Sequence, residues 1–172
     1  MSASDRSGPL SGHVEVDEMY HGPKARGRNG KGKGPSGKAI LFGAVERGGD
    51  IRVGVVPDSK MSTLGGAITQ NVAKGSKISS DDNRSYLGLR FAGYDHQSVN
   101  HSAYEWVRGD VHTNTIEGHF RRSILGTHVH VSQKHLWKYA SEFAYRRNMR
   151  GSHWAMFTRL VVSLSLPRLA ET

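Results

Sequence analysis

The sequence predicts an α/β domain spanning 13–166, a mixed sheet covered by helices. Three observations carry that expectation. Strand-like runs of β-branched and apolar residues occur at 13–20, 38–45 and Ile51–Val56. After Pro57 the apolar period switches from two to near 3.6, with Leu64, Ile68 and Val72 on one stripe. From Asn114 onward the stripes are helical, and strands followed by helices in one chain imply a sheet with helical cover.

Residues 1–12 are polar and small and read as a disordered leader. The strand 13–20 carries Glu15 and Asp17 on one face and Val14 and Val16 on the other, because successive side chains alternate. The run is too apolar for an edge, which would stand Asp17 on a rigid floor. A solvated edge strand with its acids on the wet face is the alternative. Residues 24–38 hold six basic residues, five glycines and no acid, without apolar periodicity, and read as a mobile basic loop. Arg47-Gly-Gly-Asp50 joins the next two runs as a hairpin, giving a three-stranded antiparallel unit with the first strand.

The helix after Pro57 is expected to end near Lys74-Gly75. Residues 76–80 form a short strand running into Asp81-Asp82, and another short strand around 97–100 leads to the segment 107–112. A helix from Asn114 places Ile116, Phe120 and Ile124 on one stripe, and a second over 132–148 turns Leu136, Tyr139, Ala140 and Phe143 inward. A last helix over 153–164 shows Trp154, Phe157 and Val161, with 161–166 open between helix and strand, and 167–172 is a tail. Trp137 and Trp154 are expected in the core rather than as base-stacking platforms.

At 172 residues the chain fits one domain that buries about 70% of its unfolded surface. It has no cysteine, which excludes disulfides and thiolate zinc sites and fits a reducing cytoplasm. Neither a signal core nor a membrane-length apolar run is present, so the expectation is a soluble, cytoplasmic, nucleoid-associated protein. The net charge of +9 and pI near 10.0 favour a polyanionic partner. The charge falls in two regions, the loop and 121–150, where seven Lys or Arg face one acid, Glu142. Lys24, Arg26, Arg28, Lys31 and Lys33 in the loop, with Arg121, Arg122, Arg146, Arg147 and Arg150, are the candidate DNA-backbone contacts. Solvated charge on a loop and a helix face is the plainer reading.

Between these regions lie oxygen ligands of the type that holds hard cations. Asp81 is the first residue past a short strand, at the carboxyl end where α/β sheets put ligand sites, and is favoured over Asp82. An Asx turn or helix cap by Asp81, Asp82 or Asn83 is the alternative. Asn114 and Glu117 lie three apart on one helical face. They also match a capping box, with Asn114 as N-cap and Glu117 reaching back. Together with Asp17 these residues form three ligand sets suited to Mg²⁺ or Mn²⁺, and two such ions about 4 Å apart can stabilise both the attacking and the leaving oxygen of a phosphoryl transfer.

Several strings are similar to the catalytic domain of bacterial DDE-type insertion-sequence transposases, in the group that carries a zinc ribbon before a ribonuclease H-like domain. They are Val14-Glu-Val-Asp-Glu-Met-Tyr20, Gly43-Ala-Val-Glu-Arg-Gly-Gly49, Ser80-Asp-Asp-Asn-Arg-Ser-Tyr86, Val99-Asn-His-Ser-Ala-Tyr104 and Gly109-Asp-Val-His-Thr-Asn-Thr-Ile-Glu-Gly118. The likeness runs over about 12–150, and His112-Thr-Asn-Thr-Ile-Glu-Gly118 is its most specific part. It implies a ribonuclease H-like fold, metal-dependent DNA cleavage and strand transfer, with transposon ends and target DNA as partners and a homodimer assembled on DNA. Asp17 matches the first catalytic acid and Asp81 the second. Asn114 matches the position this group uses as third ligand, while Glu117, with 35 residues between it and Asp81, matches the spacing of many DDE enzymes.

Two features depart from the group. The chain begins about where the catalytic domain begins, without the zinc ribbon, and the helix after Glu117 reads about three residues short. Ile124 stands where the group has a basic residue seven past the acid, whereas Arg121 falls seven past Asn114 and would serve as a DNA contact or pair with Glu117. His128 and His130 alternate on one face and read as surface or phosphate-facing imidazoles rather than ligands. A second functional reading is a catalytically inactive or truncated remnant that binds DNA non-specifically.

Overall fold

The computed structural model describes residues 8–22, 37–100, 103–105, 107–123, 131–152, 154, 156–158 and 161–162. The basic-loop positions Lys24, Arg26, Arg28, Lys31 and Lys33, together with Ile124, His128, His130 and the tail, lie outside the described residues.

Strands β1 (His13–His21), β2 (Ala39–Glu46) and β3 (Ile51–Val56) form the antiparallel unit. β1 also pairs in parallel with β4 (Lys77–Ser80), which pairs in parallel with β5 (Asp95–Ser98), so the sheet order is β3-β2-β1-β4-β5. β1 is therefore central rather than a solvated edge. Helices α1 (Met61–Asn71), α2 (Asn114–Phe120) and α3 (Leu136–Asn148) cover this mixed sheet in the ribonuclease H-like arrangement.

Strand alternation divides the apolar residues between two cores. Val14 and Val16 of β1, with Phe42 and Ala44 of β2, pack against Leu64, Ile68 and Val72 and against Tyr86 and Leu89 of a 3-10 helix at Arg84–Arg90. On the other face Leu41, Val45 and Ile51 meet Ile116 and Phe120 of α2 and Leu136, Ala140 and Ala144 of α3. Burial on both faces is what makes the sheet a rigid floor. Asp58 starts α1 by accepting from Lys60 N at 3.1 Å and Thr63 Oγ1 at 2.5 Å.

Several boundaries differ from the expectation. α1 stops at Asn71, short of Lys74-Gly75, since Val72 is already extended. β5 lies two residues before 97–100 because its register is set by pairing with β4, Ser80 opposite Ser98. Trp137 is 51% exposed and Trp154 78%, and Phe157 and Val161 are exposed as well. α3 turns Leu136, Ala140 and Ala144 inward at four-residue steps, which leaves Trp137 about 100° off that stripe. With α2 and α3 already covering this side of the sheet, the last stripe finds no core. Among the described residues no helix is long and apolar enough to cross a membrane.

Candidate metal centre

Parallel pairing of β1 with β4 brings the carboxyl-terminal parts of both strands to one rim. There Asp17, Glu18 and Asp81 offer carboxylate oxygens that all lie within 4.8 Å of one another. Asp17 is half-buried and accepts from Glu18 N at 2.8 Å. Despite that bond, its carboxyl is held well above the ordinary range, first by loss of solvent and then by the charges of Asp81, Glu18 and Glu117.

Asp81 forms the Asx turn as well as joining the cluster. Its Oδ1 accepts from Asn83 N at 3.1 Å, and Asn83 Oδ1 in turn accepts from Ser85 N at 2.9 Å to cap the 3-10 helix. Local turn chemistry thus aims the carboxylate instead of competing with it. Asp82 is exposed and outside the cluster. Behind the rim, Ser80 Oγ meets His96 Nε2 at 2.8 Å, and burial, then the Arg90 charge, pull His96 down to about 4.

Glu18 is the member that sequence reasoning missed, because alternation sends it to the face opposite Asp17. Its carboxylate accepts from the Tyr86 hydroxyl and from Asn83 Nδ2. Burial and Glu18 raise the fully buried Tyr86 phenol well above its ordinary value, so it remains a donor. The available signal was Tyr86 itself, an aromatic five residues past Asp81 whose buried hydroxyl needs an acceptor.

α2 does not begin as a local capping box. Its N-cap is Thr113, without a side-chain cap bond to the backbone, and Thr113 Oγ1 donates to Glu117 Oε1 at 2.9 Å. Asn114 is the exposed first residue of the helix. The capping is tertiary: Glu15, fully buried in β1, accepts from Thr115 N at 2.9 Å, Thr115 Oγ1 at 2.9 Å and Ile116 N at 3.3 Å. Arg47 Nε meets the same carboxylate at 2.8 Å, and its other nitrogens reach His13 Nδ1 at 3.2 Å and the His112 carbonyl at 3.4 Å.

Gly43, paired with Asp17, lets α2 lie close. A Cβ there would stand 2.6 Å from Phe120 Cζ and 2.7 Å from Ile116 Cδ1. Glu117 thereby bears on Asp17, whereas no described contact links Asn114 to the cluster.

The arginines of 121–150 are not equivalent. Arg121 is exposed, and Arg122 reaches toward His119. Arg146 pairs with Glu142 at 2.5 Å, Arg147 is half-buried, and Arg150 donates to the carbonyls of Gly48 at 2.7 Å and Gly49 at 3.1 Å.

Sheet order, helical cover and a carboxylate rim at β1 and β4 define a ribonuclease H-like domain. The chain belongs to the ISXO2-like transposase domain family, which matches residues 9–148. It is 29% identical over 157 residues to a protein of Halobacterium salinarum (strain ATCC 700922 / JCM 11081 / NRC-1) named "Uncharacterized protein in transposable element ISH50". That match covers 81% of this chain and 53% of the other, so the chain spans about half the length of that relative. No solved structure matches. Family membership supports a transposase role.

Proposed function

We propose that this chain is the catalytic domain of an insertion-sequence transposase, which cleaves DNA phosphodiesters with divalent metal and joins the freed end to target DNA. The observation that carries the reading is the gathering of Asp17, Glu18 and Asp81 within 4.8 Å, with Glu117 close enough to raise the Asp17 carboxyl further. Carboxylates so close repel one another, and a cation offsets that cost. The donors are all oxygens, which suits Mg²⁺ or Mn²⁺.

The residues that would hold the metal are Asp17 and Asp81, with Asn114 and Glu117 as the third set. A pair of ions there supplies positive charge to the phosphate undergoing transfer. The chain's own part is positional. β1 and β4 hold the two aspartates rigidly, Tyr86 and Asn83 fix Glu18 beside them, and Glu15 with Arg47 anchors the start of α2. In the reaction water attacks phosphorus, the bond to the 3′ oxygen breaks, and that oxygen leaves with a proton. The resulting 3′-hydroxyl then attacks a target phosphodiester: its oxygen bonds to the target phosphorus, the bond from that phosphorus to the target's own 3′ oxygen breaks, and that oxygen leaves with the proton. Backbone phosphates would be drawn by the loop residues 24–38 and the arginines of 121–150, on DNA that assembles two copies.

A nicking and strand-transfer assay with Mg²⁺ or Mn²⁺ on DNA carrying the element's ends tests this. Asp17→Ala and Asp81→Ala are expected to abolish cleavage while the circular dichroism spectrum and most DNA affinity persist. Cleavage by either variant at the parental rate would remove the assignment. A parental chain that binds DNA but never cuts under these conditions would favour a non-catalytic DNA-binding role.

A further inference from the structure

A recess of about 540 Å³ opens along β5, the outermost strand on the β4 side of the sheet. Every described residue lining it carries a polar side-chain atom. A recess of this size without an aliphatic wall suits a polar, charged ligand better than an apolar one. Its lining includes the guanidinium groups of Arg90 and Arg108 against one carboxylate, Asp95, so the balance favours an anion.

Both arginines are held by one side of the guanidinium and offer the other. β5 is an edge strand: the N–H groups of Asp95 and Val99 donate to the carbonyls of Ser76 and Ser80, so alternation turns the backbone of His96 and Ser98 outward. Arg90 is exposed, and its Nε donates to the His96 carbonyl at 3.0 Å, which ties it to the open edge and leaves both Nη groups without a described partner. Arg108 sits on a turn closed by two backbone bonds with Val111, at 2.9 and 3.0 Å. Glu105 takes its Nε at 2.7 Å and its Nη2 at 2.5 Å, while Nη1 is left over on a side chain that is 61% exposed. A guanidinium has N–H donors and no acceptor, so what each arginine still presents is donors.

The recess adjoins the carboxylate rim. Ser98, in its lining, pairs with Ser80, the residue before Asp81. Neighbouring strands lie about 4.8 Å apart, and successive phosphates of one DNA strand rise about 3.4 Å along the axis. A phosphate in the recess would therefore belong to the same stretch of DNA as the bond held at the rim.

We infer that this recess is an oxyanion subsite taking one phosphate group, with the spare Nη groups of Arg90 and Arg108 as donors. Phosphate suits it because several of its oxygens accept N–H groups at once, and the planar guanidinium matches that geometry. The phosphate comes either from a DNA backbone or from inorganic phosphate. The DNA source rests on the proposed function, whereas the site itself does not. As DNA contacts, Arg90 and Arg108 would be positioning residues that fix the strand a few nucleotides from the bond being cut, without reading its sequence.

The test uses the full chain. Inorganic phosphate is titrated at constant ionic strength into the parent, Arg90→Gln, Arg108→Gln and Asp95→Asn, and the arginine Nε–H signals are followed in ¹⁵N-arginine-labelled protein. The Arg90 and Arg108 signals are expected to shift saturably. Either glutamine variant should lose about tenfold in phosphate affinity, whereas Asp95→Asn removes the competing acid and should bind more tightly. Arg108 lies on the surface, so its variant decides the question even if Arg90→Gln unfolds. Arg90 and Arg108 signals that do not move, or variants that bind phosphate as the parent does, overturn the site.

In a DNA arm, single neutral methylphosphonate linkages are scanned across a duplex carrying the element's end. One position should weaken binding by the parent about tenfold and leave Arg108→Gln indifferent. A scan without such a position, beside a phosphate response, supports the site but overturns DNA as its source. A phosphate response in a parental chain that binds no duplex supports the site and counts against the transposase reading alone.

Discussion

Asp17 shows how one side chain reports on its neighbours. Its folded-state value lies above the ordinary 3.8, so its favourable contribution is present below that unfolded value and is lost as pH rises through the folded one. Metal-free melting of the parent, relative to Asp17→Asn, is therefore expected to worsen as the pH rises above the ordinary carboxylate range, with Mn²⁺ reversing the loss. Parallel curves for the two proteins would mean that the carboxylates do not sense one another. Asn114 and Glu117 separate differently. With Thr113 as N-cap, Asn114→Ala removes no cap and should change stability by less than about 0.5 kcal/mol. Glu117→Ala strips the acceptor from Thr113 Oγ1, at a cost of about 1 kcal/mol. If both contribute to the third ligand set, each should lower Mn²⁺ affinity and cleavage by about tenfold or more. Two variants that cleave normally would reduce the start of α2 to a structural role.

α2 is a seven-residue helix too short to stand alone, so its place depends on what docks it. Two devices do this: Glu15 receives its first free N–H groups, and Gly43 admits Ile116 and Phe120 onto β2. Glu15→Ala would leave Arg47 and those N–H groups facing a gap, and is expected to lose about 3–5 kcal/mol of stability in chemical denaturation. Mn²⁺ titration of the variant while still folded should show weaker binding, because Glu117 is no longer held beside Asp17. Glu15→Gln keeps one acceptor oxygen and should fall between the two. A Glu15→Ala protein as stable as the parent, with full Mn²⁺ affinity, would show that α2 is held by its apolar stripe alone.

At the scale of the molecule the relevant quantity is charge, +9 over 172 residues. Phosphate contacts release counterions, so log affinity for DNA should fall steeply with log salt, and binding to the element's ends and to a scrambled duplex should be alike. Deleting 24–38 should flatten that slope by several units if its six cations are engaged. A salt titration with both duplexes checks each part. Affinity tens-fold higher for the true ends would mean that this domain reads sequence, and a slope unchanged by the deletion would leave the loop as surface decoration.

Much of this protein was legible before any coordinates, because period and turn chemistry are local properties. Alternation in 13–20 placed Asp17 on the face away from Val14 and Val16, and the four-residue step of Leu64, Ile68 and Val72 marked α1 and its buried side. Asp81 was distinguished from Asp82 by being first past a strand. What the chain could not declare locally was which groups meet across elements. Thr113 replaced Asn114 as N-cap because Glu15, about 100 residues earlier, supplies the acceptor from another strand. Glu18 joins the rim although alternation points it elsewhere, since Tyr86 and Asn83 hold its carboxylate there. Trp154 and Phe157 have a helical spacing indistinguishable from that of core residues, yet α2 and α3 already cover that face of the sheet and leave them in solvent. Spacing determines which side chains share a face. Only the packing of distant segments decides whether that face is buried, capped or charged.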